Sequence, residues 1–101
     1  MKRRAVTART ADKYKLYEKS VHGVDFEAPF LARMFRRYAG RPALDLCEDF
    51  CGTALLCAEW VRTGRGRRAT GIDRDRRVLA WARKNNIEPL GRDASRVRLL
   101  E

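Results

Sequence analysis

The stretch Cys47-Glu48-Asp49-Phe50-Cys51-Gly52-Thr53-Ala54 lies between two runs of different character. Before it, Ala43-Leu44-Asp45-Leu46-Cys47 is short, largely apolar and bounded by turn signals, Pro42 on its amino-terminal side, which predicts a strand. After it, Thr53–Arg62 is apolar at Ala54, Leu55, Leu56, Cys57, Ala58, Trp60 and Val61. This spread predicts a helix buried on nearly every face. A strand turning at once into a buried helix is the opening of a βα unit. In such a turn Gly52, with no side chain, lets backbone N–H groups approach a ligand closely.

The pattern repeats downstream. Gly64 and Gly66 form a turn, and Arg68-Ala69-Thr70-Gly71-Ile72 is a second short strand ending at Asp73. Asp75 is placed to cap a helix with Val78, Leu79, Trp81 and Ala82 on one side and Arg76, Arg77, Arg83 and Lys84 on the other, fraying at Asn85-Asn86. Val97–Leu100 begins a third strand. Upstream, Asp12–Val21 sets Tyr14, Tyr17 and Val21 at helical spacing. A second helix opens at Glu27-Ala28-Pro29, carries an apolar stripe of Phe30, Leu31, Met34, Phe35 and Tyr38, and ends at Gly40 before Pro42. Two helices followed by strand, helix, strand, helix, strand predict an α/β chain. Its fold class is a Rossmann-like parallel sheet, partial at about three strands. Residues 1–40 read as an N-terminal helical segment and 41–101 as the first half of a Rossmann-like domain.

The chain has 101 residues, enough for one modest core. Lys and Arg number 23 against 13 acidic residues, a formal net charge of +10, so a nucleic-acid partner is admitted. The arginines are scattered through every segment, which reads first as a solvated surface and only second as a dedicated nucleic-acid face. The three cysteines, Cys47, Cys51 and Cys57, are an odd number at spacings that fit no common zinc framework. They read as small buried apolar residues in a reducing compartment, with no metal site and the cytoplasm as the expected location. No apolar run is long enough for a membrane span, so no membrane partner is expected. Trp60 and Trp81 read as packing anchors and His22 as a surface loop residue. Tyr14 and Tyr17 read as helix-packing residues, with the alternative that one of them lies over a bound cofactor.

Asp73 ends the second strand about twenty residues beyond Gly52, a position from which a carboxylate accepts both hydrogen bonds of a ribose diol. Here the chain resembles the class I S-adenosylmethionine-dependent methyltransferases. Cys51-Gly52-Thr53 looks like the centre of that family's Gly-x-Gly-x-Gly-like loop, and Glu48 stands where the family's acidic residue does. The phrase EDFCGTALLCAEWV, with DKYKLYEKSV upstream and GIDRD and LAWA downstream, is similar to a bacterial group within the family, over most of the chain. The resemblance implies S-adenosyl-L-methionine as cofactor and a cofactor-binding set of Glu48, Asp49, Phe50, Gly52 and Asp73. Glu48 would lie near the methionine amino group, Gly52 would form a backbone bed, and Asp73 would hold the ribose hydroxyls. Asp49 is the alternative to Glu48, because a shift of one residue in the loop would exchange them. Phe50 and Ala54 stand at the outer two glycine positions, a departure that makes the loop less permissive.

The resemblance also implies a methyltransferase whose adenine and substrate regions follow the third strand. Asp93 precedes that strand and takes no adenine role. The methyl acceptor and catalytic residues are then not assigned, and the chain alone is expected to be inactive. A 3-2-1 strand order, with the first strand as an open edge, leads to an expectation of self-association. Two other classes stay open. A dinucleotide-binding fragment would need Gly-x-Gly-x-x-Gly, which Phe50-x-Gly52-x-x-Leu55 misses at two positions. A small basic nucleic-acid-binding module without catalysis would show steep salt dependence and no response to S-adenosylmethionine.

Overall fold

A computed structural model of the chain describes residues 13–20 and 23–101. The elements are α1 (Lys13–Ser20), α2 (Val24–Ala39), β1 (Asp45–Asp49), α3 (Leu55–Arg62), β2 (Arg68–Ile72), α4 (Arg76–Ala82) and β3 (Val97–Leu100). The leader 1–12, Val21, His22 and the side chain of Tyr17 lie outside the described residues.

The three strands form one parallel sheet in the order β1-β2-β3, with Glu48 beside Gly71 and Gly71 beside Leu99. This is the α/β, Rossmann-like arrangement and the 3-2-1 order expected from the sequence. Alternation along the strands makes one face apolar. Ala69, Gly71, Val97 and Leu99 are buried toward α3, whereas Arg68, Arg98 and Leu100 point to the opposite, open face. β1 is paired only with β2 among the described residues. Its Cys47, on the open face, is exposed rather than buried as expected, while Cys51 and Cys57 are buried.

The core is centred on α3, where every residue from Leu56 to Val61 is buried and Trp60, Val61 and Cys57 are the largest fully enclosed side chains. Trp60 is the packing anchor its sequence position predicts. Its indole Nε1 donates to the Leu44 carbonyl at 3.0 Å, and the Arg67 guanidinium lies 4.3 Å from its ring centre. The Arg96 guanidinium closes the carboxyl-terminal end of α3, donating to the carbonyls of Val61, Gly64 and Arg67 and pairing with Asp93.

Several boundaries differ from the sequence reading for local reasons. β1 begins at Asp45 rather than Ala43, because its partner β2 begins at Arg68: the Arg68 amide makes the first ladder bond, to the Leu44 carbonyl, while the Arg67 amide turns back to the Gly64 carbonyl. α3 begins at Leu55 rather than Thr53, because Ala54 is left-handed at φ 60° and precedes the first turn. α2 begins at Val24 rather than Glu27, since left-handed Gly23 offers its carbonyl to the amides of Phe26 and Glu27. Pro29 therefore sits inside the helix. α2 ends at left-handed Gly40 as expected, but its apolar stripe is not enclosed: only Ala28 is buried, and Phe30, Phe35 and Tyr38 are exposed. At Asn85-Asn86 the chain does not fray. α4 widens into a π-helical turn, Arg83–Ile87, that buries Ile87, and a run of 3-10 turns kinked at Gly91 then leads to β3.

Candidate functional site

The carboxyl ends of β1 and β2 meet at the loop Phe50–Ala54. Within it three alternate residues are left-handed, Phe50 at φ 56°, Gly52 at φ 56° and Ala54 at φ 60°. These are the three positions that a Gly-x-Gly-x-Gly loop would fill with glycine. Phe and Ala take the conformation at a cost of roughly 1–2 kcal/mol each. Hydrogen bonds hold the loop at both ends. The Cys51 amide donates to the Ile72 carbonyl at 2.9 Å, and the Ala54 amide to the Cys51 carbonyl at 2.9 Å. Beneath the loop, β2 carries Gly71, because a Cβ there would fall 2.9 Å from Cys51 Sγ and 3.1 Å from Leu99 Cδ2.

Asp73 joins the two strand ends. Its Oδ2 accepts the Gly52 amide at 3.0 Å and its Oδ1 the Asp75 amide at 2.9 Å. Each carboxylate oxygen has two lone-pair directions, so both keep capacity for a further donor. Asp75 accepts the Arg77 amide and caps α4 as its position predicted. Gly52 faces open space: a Cβ added there would meet nothing within 4 Å. Phe50 is 84% exposed at the tip of the loop.

Glu48 and Asp49, adjacent in sequence, fall on opposite faces of the sheet. Glu48 lies on the α3 side, where the Cys57 thiol donates to its Oε1 at 3.5 Å, while Asp49 is exposed on the open face. Burial pushes the Glu48 carboxyl above its ordinary range, with the Cys57 hydrogen bond opposing and the nearby Glu27 charge adding. Burial and the Glu48 and Asp73 charges push the Cys51 thiol up to about 11, and burial pushes Cys57 higher still. Both thiols are therefore neutral near pH 7. Glu48 lines a cavity of about 70 Å³ with Glu18, Glu27, Cys51 and Thr53, a setting that complements a small cationic group.

Three residues of this site, Glu27 from α2 and two others, were not singled out for it in the sequence. Glu18 arrives from α1, on the same helical face as Tyr14 one turn earlier. Asn86 arrives from the π-helical turn, and its Nδ2 donates to Glu18 Oε2 at 2.7 Å and to the Thr53 carbonyl at 2.8 Å, tying α1 to the loop. The i,i+4 relation to Tyr14 is a signal for Glu18, whereas nothing in the Asn85-Asn86 pair distinguishes a clamp from a helix end. Tyr14 packs on Trp81, ring centres 5.2 Å apart, in keeping with its helix-packing reading. No group of three or more His, Cys, Asp or Glu side chains suited to a metal ion occurs among the described residues. Nor is any described helix long and apolar enough to cross a membrane.

No protein-family model matches the chain, and comparison with curated proteins gives no match. Among solved structures, the chain is similar to the X-ray structure of YjhP from E. coli, a structural genomics target. The two are 25% identical with a TM-score of 0.55 over 73% of this chain. The chain spans 28% of that protein's length, and the likeness supports the α/β, Rossmann-like architecture of the sheet and its helices.

Proposed function

We propose that the chain is the cofactor-binding portion of an S-adenosylmethionine-dependent methyltransferase. The observation that carries this reading is the loop Phe50–Ala54, left-handed at three alternate residues and tied through the Gly52 amide to Asp73 at the end of β2. The residues present suit the cofactor. Gly52 leaves room for close contact along the loop backbone, and Asp73 has lone pairs left for the ribose hydroxyls. The carboxylates of Glu48, Glu18 and Glu27 suit the α-ammonium group. When bound, S-adenosylmethionine supplies an activated methyl group on its sulfonium.

The chain's own contribution is binding and orientation, the larger part of what such a reaction needs when the methyl donor is already activated. Glu48 is the amino-group partner in preference to Asp49, because it faces the cavity beside the loop and Asp49 faces away. A cation placed there would favour the charged form of Glu48, opposing the effect of its burial. Phe50, exposed at the loop tip, offers a ring to the ligand's edge.

Amide chemical-shift mapping of the isotope-labelled chain tests the reading. S-adenosylmethionine is expected to move the amides of Phe50–Ala54 and Asp73 at millimolar concentration, with NAD giving no such set. Shifts confined to other residues, or none at all, would exclude this loop as the cofactor bed.

A further inference from the structure

The arginines that look scattered in the sequence are partly gathered by the fold. At the amino-terminal end of the sheet, the second half of α2 and the turn between α3 and β2 enclose a groove of about 330 Å³. It is lined by Arg33, Arg36, Arg65 and Arg67, and by no acidic residue. Arg33, Arg36 and Arg65 are exposed and form no ion pair among the described residues, in contrast to Arg62, Arg68 and Arg96, which are paired with Glu59, Asp45 and Asp93.

The same stretch of α2 also presents aromatic rings. Tyr38 is 78% exposed with the Arg37 guanidinium 6.0 Å from its ring centre, and Phe35 is 38% exposed with Arg41 at 4.9 Å. Both rings line an apolar hollow of about 530 Å³ that adjoins the arginine groove at Ala43. Its one carboxylate, Asp45, is held by Arg68. Arginines beside exposed rings match a strand whose phosphates need cations and whose unstacked bases need a flat apolar surface. A duplex offers the phosphates but keeps its bases stacked, and an anionic membrane offers no planar groups for the rings.

We propose that this end of the molecule binds single-stranded nucleic acid, with Arg33, Arg36, Arg65 and Arg67 on the phosphates and Tyr38 and Phe35 under the bases. The surface is separate from the loop Phe50–Ala54. It adjoins the starts of β1 and β2, and a strand of this length sets it about 15 Å from their carboxyl ends. It stands whether or not that loop holds S-adenosylmethionine.

Fluorescence anisotropy of the full chain with a labelled oligouridine of about 12 nucleotides tests the proposal. Four phosphate contacts predict that raising salt from 50 to 150 mM weakens binding about 20-fold. The variant Arg33→Ala/Arg36→Ala/Arg65→Ala should lower the logarithmic salt slope by about 2. The variant Arg74→Ala/Arg76→Ala/Arg77→Ala, with the same charge change at the opposite end, should lower it much less. Tyr38→Ala should weaken binding about 5-fold at constant slope, the low end for loss of one stacked base. Circular dichroism of each variant confirms that it is folded. Equal loss in the two triple variants would show only a diffuse field and overturn the proposal. So would equal affinity for a duplex of the same length, equal affinity for phosphatidylserine vesicles, or no binding at 50 mM salt.

Discussion

Replacing Asp73 by Asn tests whether this side chain holds the two strand ends together. The carboxylate accepts two backbone amides, Gly52 on one oxygen at 3.0 Å and Asp75 on the other at 2.9 Å. Asn keeps one acceptor and turns the other into an NH₂ group, so one of the two amides would face a donor. Hydrogen bonds to a charged group contribute about 1.5–3 kcal/mol, and the retained bond drops to the neutral range of about 0.5–1.5 kcal/mol. Asp73 is only partly buried, so water recovers some of this loss. A net destabilisation of about 2 kcal/mol follows. With a urea slope of roughly 1–2 kcal/mol per molar, the midpoint should fall by about 1–2 M. Asp73→Ala should be no worse, because it opens both amides to water instead of opposing one with a donor. Hydrogen exchange adds the local readout: the Gly52 or Asp75 amide should lose protection in Asp73→Asn while the β2 amides keep theirs. Unchanged midpoint and unchanged protection at both amides would show that Asp73 does not organise the loop, and the argument for its place in the site would go with it.

Gly71→Ala should cost about 1–3 kcal/mol, since the added methyl meets Cys51 Sγ at 2.9 Å; in a double-mutant cycle, Cys51→Ala should recover part of that cost, and strict additivity would refute the contact. Glu48 has a raised folded-state pKa, so its protonated form is favoured on folding: its contribution is fully present below the unfolded value near 4.5 and is lost as pH rises through the folded value. Glu48→Gln should therefore be more stable than the parent at pH 7, with the gap closing toward pH 4, and a gap that widens on acidification would contradict the assigned burial. Iodoacetamide at pH 8 should label the exposed Cys47 first, with Cys51 and Cys57 following only in urea, because burial keeps both as thiols; rapid triple labelling in buffer, read by mass, would show a loosely packed α3.

The sheet was legible because β1 and β2 are short, preceded by a proline or glycine turn, and followed by a helix with a recognisable face; β2 and β3 fall where their residues predict. The start of β1 moved because parallel pairing begins only where the partner strand begins, at Arg68, whose amide bonds the Leu44 carbonyl. Local sequence gave no notice of Asn86 as a clamp, because its partners Glu18 and Thr53 are 68 and 33 residues away. Which of Glu48 and Asp49 lies beside the cavity of the loop also needed the fold. Adjacent strand residues point to opposite faces, and only the position of α3 decides which face is the inner one. The arginines make the same point about charge: periodicity along the chain shows no cluster, yet Arg33 and Arg36 on α2 meet Arg65 and Arg67 from a turn some thirty residues later.

The loop Phe50–Ala54 shows how a backbone pattern can outlast the residues that usually permit it. Counted by glycines, the stretch keeps one of three, which argues against a ligand cradle. Counted by φ angles, all three positions are left-handed. Such a conformation persists without glycine only where the surroundings over-determine it. Here the Asp73 carboxylate on Gly52, the Ile72 carbonyl on Cys51 and the Cys51 carbonyl on Ala54 all fix it, and the Ala54 carbonyl already accepts the Ala58 amide of the first turn of α3. Ala54 is fully buried, so its methyl is part of the core and offsets some of the strain. Phe50 has no such compensation. A large apolar ring, 84% exposed and held in a disfavoured backbone conformation, does little for folding, and under the proposed function its placement beside Gly52 is accounted for by contact with the cofactor.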